Sequence, residues 1–230
     1  MTILLNQTME GAEETLGTLF ACSNVSGEQS PTYALCEMGI VTPAEALQYL
    51  RWLELLGPSS ERRVAGIAHA LSSPDITDLY IRGYVWFESY PPGSYGCLGV
   101  WRDGQVNSHI GTQGFILGRP KDSDHRIFIG SKAGAGGHTV RAFGPEVVLA
   151  QWYLVDIHLN TSITTLALDG VPVATYTGNL VPTGGIDAIW TGMSTEVYGI
   201  AYPVRFDHLQ ASTTPILILP TGVAFKLNLT

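Results

Sequence analysis

Between Leu79 and Tyr90 one parity of the chain carries rings and charges: Tyr80, Arg82, Tyr84 and Trp86, with Glu88 after them. Side chains of these types bind rather than break bonds. Rings stack on sugars or anchor protein contacts, and a guanidinium presents a planar fork of donors. Three readings of the stripe stay open: a glycan groove, a protein interface, or rings packed beneath loops of their own domain. Leu79, Ile81, Val85 and Phe87 occupy the opposite parity, as a strand with one buried face requires.

Bond-breaking chemistry finds less support. Retaining glycoside hydrolysis uses two carboxylates about 5–5.5 Å apart, a spacing that alternate strand positions supply. Among the candidates Glu10, Glu13-Glu14, Asp156, Glu196 and Asp207, none that lies on a strand has a carboxylate partner two or four positions away. No Gly-x-Ser-x-Gly follows a strand. The run 130–137, GSKAGAGG, lacks the Gly-Lys-Ser/Thr order of a phosphate loop and reads as a mobile hairpin tip. Asp122, Ser123, Asp124 and His125 could offer oxygens to calcium, but a solvated turn is the simpler expectation. The six histidines show no metal-ligand spacing and are expected at the surface or hydrogen-bonded. No catalytic residue, metal or cofactor is therefore expected.

The elements that must position these groups are strands. Over residues 152–178, Val155, Ile157 and Leu159 alternate with Asp156, His158 and Asn160, and the pattern resumes at Ile163. Asp169-Gly170 separates it from Val171, Val173 and Thr175. Asp-Gly between two alternating runs signals a two-residue hairpin, because both residues tolerate positive φ. A second such hairpin is expected at Asp103-Gly104, and further strands over residues 2–5, 15–22, 63–71, 186–190, 197–201 and 204–209. Residues 114–117 and 126–129 are expected to pair.

Residues 43–56 read differently. Thr42-Pro43-Ala44-Glu45 has the form of a capping box with proline at the first helical position, and Gly57-Pro58 supplies a stop. The spacing predicts a short helix with a narrow polar stripe of Glu45, Gln48, Arg51 and Glu54. So apolar a helix must be covered, by the sheet or by a partner, which makes Leu50 and Leu53 candidate assembly contacts. The tail 213–230 adds an aliphatic run through Ile216, Leu217 and Ile218, then an alternating run containing Phe225. Such strands must pair with a sheet edge, in this subunit or a neighbour, and those four residues join the candidate assembly contacts.

A tryptophan before a strand, a polar turn and then Leu166-Ala167-Leu168-Asp169-Gly170 resembles the central meander of the concanavalin A-like, laminin G-like jelly rolls. An early strand running into Glu10-Gly11 and the closing strand Val204-Arg205-Phe206-Asp207-His208-Leu209 are similar to the same class. The resemblance covers about residues 79–212. It implies an all-β antiparallel jelly-roll sandwich, here over residues 1–212 with the helix inserted, followed by a C-terminal β extension over 213–230. Members of the class mostly bind glycans or proteins; alginate-lyase-like members carry Arg-x-Glu-x-Arg and Gln-x-His, and neither occurs here.

Composition narrows the partners. The chain has 230 residues, 14% charged and 45% hydrophobic, with formal net charge −8, and is long enough to bury a core without disulfides. Its 12 basic residues are scattered, with Arg62-Arg63 the only adjacent pair, so a nucleic-acid surface is not expected. No apolar run reaches the roughly 20 residues of a membrane span, and Met1–Leu5 lacks the basic region of a signal peptide. Three cysteines, Cys22, Cys36 and Cys97, are expected as buried thiols, with a Cys22–Cys36 bridge open in an oxidising compartment.

A recognition fold without a secretory signal, poor in charge, with an over-apolar helix and an adhesive tail, leads to one expectation. The chain is a non-enzymatic structural protein of a virus particle, a bacteriophage capsid decoration or tail component. It would be made in a host cytoplasm and act through contacts with its own copies or with capsid and tail proteins. The alternatives are a carbohydrate-binding module at an extracellular surface and, third, a glycoside hydrolase or lyase on the same fold.

Overall fold

The computed structural model describes residues 2–7, 18–23, 33–38, 48–53, 63–90, 95–102, 114–119, 124–132, 138–195 and 204–216. These form strands β1 (Ile3–Gln7), β2 (Thr18–Ser23), β3 (Tyr33–Met38), β4 (Gln48–Leu53), β5 (Arg63–Ala70), β6 (Asp78–Phe87), β7 (Tyr95–Trp101) and β8 (Gly114–Arg119). They continue with β9 (Arg126–Lys132), β10 (His138–Glu146), β11 (Trp152–Asn160), β12 (Ile163–Leu168), β13 (Val171–Thr177), β14 (Ala188–Thr195) and β15 (Val204–Ser212). Two antiparallel sheets result. The first runs β13-β12-β11-β6-β15-β4-β3, with β1 also on β15, and the second runs β10-β9-β8-β7-β14-β5-β2. The fold is an all-β jelly-roll sandwich of the concanavalin A-like kind.

The alternation read from the sequence produces the core. Leu79, Ile81, Val85 and Phe87 of β6 are buried with Val155, Ile157 and Leu159 of β11 in one cluster with Leu98, Phe115, Leu117, Ile127 and Ile189 of the second sheet. Each such side chain contributes about 1.5–3 kcal/mol by leaving water. The meander forms as expected: β11 pairs β12 and β12 pairs β13. Asp169 and Gly170 stand at φ 51° and 80°, as the tight hairpin turn demands. The Asp169 carboxylate also accepts a 2.9 Å hydrogen bond from the Leu154 amide. β8 and β9 pair as read.

Strand β15 organises the first sheet. It pairs β6 along one side; on the other, Val204–Phe206 pair β4 while Leu209–Ser212 pair β1. The change of partner coincides with a bulge between Asp207 and Gln210, where His208 has φ 48°. Bulges bend and re-aim a strand, which accounts for this backbone.

Three expectations are corrected. The short inserted helix near residues 43–56 is replaced, over Gln48–Leu53, by β4, hydrogen-bonded between β15 and β3; the rest of that segment lies outside the described residues. An apolar run this short satisfies a strand buried on both faces as well as a helix, and pairing partners distant in sequence decide. The loop expected at 130–137 begins later, because β9 continues to Lys132 opposite His138. Pro215 and Ile216 are not in a strand, whereas Leu217, Ile218 and Phe225, with the hairpin at Asp103-Gly104 and the strand at 197–201, lie outside the described residues.

Candidate functional site

Register places the stripe of β6 at the centre of a grid on the outer face of the first sheet. Across the strands, Ser212, Tyr80, His158 and Thr165 form one row, and Gln210, Arg82, Asp156 and Ala167 the next. Asp207, Tyr84 and Leu154 form the third, and Arg205, Trp86 and Trp152 the fourth. Directly opposed residues on one face are within reach of each other, and the first, second and fourth rows each hold a contact of this kind.

In the first row the Tyr80 and His158 rings stack with centroids 4.1 Å apart and planes within 2°. His158 Nε2 lies 2.8 Å from Asp78 Oδ1. Burial first, and then the Asp78 carboxylate, hold the Tyr80 phenol above its ordinary pKa, so its hydroxyl stays protonated as a donor. In the second row Arg82 Nε donates to Asp156 Oδ1 at 2.5 Å, a half-buried ion pair. In the fourth, Trp86 meets Trp152 edge-on at 5.6 Å and lies 5.2 Å below the Arg205 guanidinium, which reaches Glu88 at 3.3 Å.

The four stripe residues thus share a face but not an environment. Tyr80, Arg82 and Tyr84 are partly exposed, while Trp86 is only 7% exposed. Its indole supports the face from below and is not an open stacking platform. Beside the first two rows lies a groove of about 200 Å³, floored by Tyr80, Arg82, Asp156 and His158 and flanked by Thr165 and, on the chain that leaves β15, Pro215 and Ile216. Ser212 Oγ donates to the Thr2 carbonyl and receives the Thr214 amide at 3.1 Å, which turns this chain back over the sheet.

Of the expected assembly contacts, Ile216 therefore borders the groove, and Leu50 and Leu53 belong to β4 inside the sheet. His158, Asp156, Thr165 and Pro215 were not singled out as binding residues. The alternation of β11 was legible, but its register against β6 was not.

Asp156 and Asp207, the described candidates for carboxylate chemistry, are each held by a neighbouring side chain. Asp156 is engaged by Arg82, and Asp207 is fully buried, accepting the His208 amide at 2.8 Å and facing His208 Nδ1 at 3.0 Å. Asp124 forms a bidentate pair with Arg126 at 2.8 Å, and His125 stacks on Tyr90 at 3.9 Å. No cluster of three metal-ligating side chains occurs among the described residues.

No protein-family model matches the chain, and no curated protein matches it in sequence. Solved structures match it in fold. The cellulose induced protein Cip1 superposes with TM-score 0.59 at 11% identity, over 93% of this chain and 99% of that one. The binding domain of Paraclostridial Mosquitocidal Protein 1 superposes with TM-score 0.55 at 10% identity, over 94% of this chain and 49% of that one. A Trypanosoma rangeli sialidase reaches TM-score 0.49 at 14% identity over 80% of this chain. The chain spans 28% of that sialidase and about half of the mosquitocidal binding domain. At these identities the likeness defines the fold alone.

Proposed function

We propose that this chain is a non-catalytic carbohydrate-binding sandwich that holds a glycan on the outer face of its first sheet. The observation that carries the reading is the groove over Tyr80, Arg82, Asp156 and His158. It joins a ring pair to a fixed donor and a fixed acceptor, the combination that a sugar, apolar on its ring faces and polar around its rim, requires. Because Arg82 and Asp156 hold each other, their remaining hydrogen-bonding positions are oriented before a ligand arrives, which lowers the cost of binding.

The virion accessory reading drew on an apolar helix, an adhesive tail and low charge. With Gln48–Leu53 in the sheet, the helix no longer supplies a motive. The large apolar side chains exposed among the described residues, Ile3, Phe143, Val148 and Val171, are the scattered kind that needs no partner.

Calorimetric titration against a glycan panel tests the proposal. Tyr80→Ala is expected to weaken the best ligand by roughly tenfold or more without lowering the melting temperature. Val171→Ala, on the exposed rim of β13, is expected to change nothing. Unaltered binding by Tyr80→Ala would overturn the assignment of the face.

A further inference from the structure

We infer that the glycan recognised on this face is electrically neutral, and that acidic sugars are excluded by the face itself. The inference rests on the binding reading above and concerns which class of glycan that site takes. The described charged side chains on the grid and its margin are Arg82 and Arg205 against Asp78, Glu88, Asp156 and Asp207. Two arginines against four carboxylates leave a formal charge of −2 with neutral histidines.

Neither arginine is placed to receive a ligand carboxylate or sulfate. Arg82 is 13% exposed at its side chain and is already bonded to Asp156. Arg205 is 15% exposed, reaches Glu88, and has its guanidinium over the Trp86 ring. An anionic sugar would have to displace a resident carboxylate from a half-buried pair, leaving that carboxylate without its partner at a cost that surface charge alone does not recover. It would also approach a chain of net charge −8, whose field repels anions at long range.

A neutral sugar meets no such barrier. The Tyr80 hydroxyl, kept protonated, and the free lone pairs of Asp156 match alternating hydroxyl donors and acceptors. The stacked ring pair of Tyr80 and His158 offers apolar area.

The test is titration of the intact chain with xylan and laminarin oligosaccharides as neutral probes and oligogalacturonate as the acidic probe, each at low and high sodium chloride. The expected result is binding of a neutral probe whose affinity changes by less than about twofold with salt, because no ion is exchanged. Oligogalacturonate is expected to bind at least about tenfold more weakly at low salt, where repulsion is least screened. Asp78→Lys, at a carboxylate 58% exposed at its side chain, is expected to raise oligogalacturonate affinity at low salt. Preferred binding of oligogalacturonate, weakened by salt, would overturn neutrality while preserving the glycan site. Failure of every probe to bind would overturn the binding reading itself.

Discussion

Gly118 illustrates how single residues build this molecule. A methyl group at that position would lie 1.9 Å from the Phe128 ring, and one at Gly99 would lie 2.4 Å from the Trp190 indole. Phe128 and Trp190 are 3% and 4% exposed yet stand outside the main core, so the rings lie flat over glycines of neighbouring strands on the outer side of the second sheet. Gly118→Ala is expected to cost about 1–3 kcal/mol by overpacking, read as a lower urea midpoint with unchanged slope. A midpoint equal to that of the parent protein would show that Phe128 moves aside freely. The role of these glycines under rings was not legible in the sequence, because each ring comes from another strand. At the first sheet the reverse holds. The shared parity of Tyr80, Arg82 and Tyr84 follows from the pleat of one strand and was legible directly.

At the level of elements, local and non-local signals divide cleanly. The hairpin of β12 and β13 is encoded within its own residues: two alternating runs and an Asp-Gly pair that both accept positive φ. Its outer strand also carries its own protection. β13 contains exposed Pro172, and β10, the edge of the second sheet, contains Pro145 and two register shifts; both devices discourage pairing with another chain. β4 is the opposite case. Its neighbours in the sheet are β3, which ends at Met38 opposite Gln48, and β15, which begins at Val204 opposite Trp52. Only the second partner is far away, and it decides that the run is extended. Leu50→Pro is expected to remove a ladder hydrogen bond within a sheet interior and destabilise by about 3 kcal/mol or more. Circular dichroism during thermal unfolding measures it. A variant as stable as the parent would show that the Leu50 amide carries no ladder hydrogen bond and that β4 is not held inside the sheet.

Across the whole sandwich, the first and last described strands lie side by side. β1 pairs the last described strand, with Ile3 opposite Ser212 and Gln7 opposite Leu209, and Leu4 enters the core at 4% exposure. Removing residues 1–7 is expected to leave the Leu209–Ser212 half of β15 as a bare edge and a void in place of Leu4. The loss should be several kcal/mol, with increased association of the unpaired edge, seen as a lower melting temperature and larger particles in light scattering. An unchanged melting temperature would show that β15 needs only β6 and β4. Read alone, the sequence carried the predominance of strands, the parity that β6 and β11 expose, and the place of the 169–170 turn. Each of these rests on interactions between residues a few positions apart. Tertiary structure alone decided that residues 48–53 extend rather than coil, that His158 stacks on Tyr80 and Asp156 holds Arg82, and that Trp86 is sheltered while Pro215 and Ile216 wall a groove. Those outcomes depend on strand register between segments more than 70 residues apart, and register is set by the simultaneous fit of two whole sheets around one core.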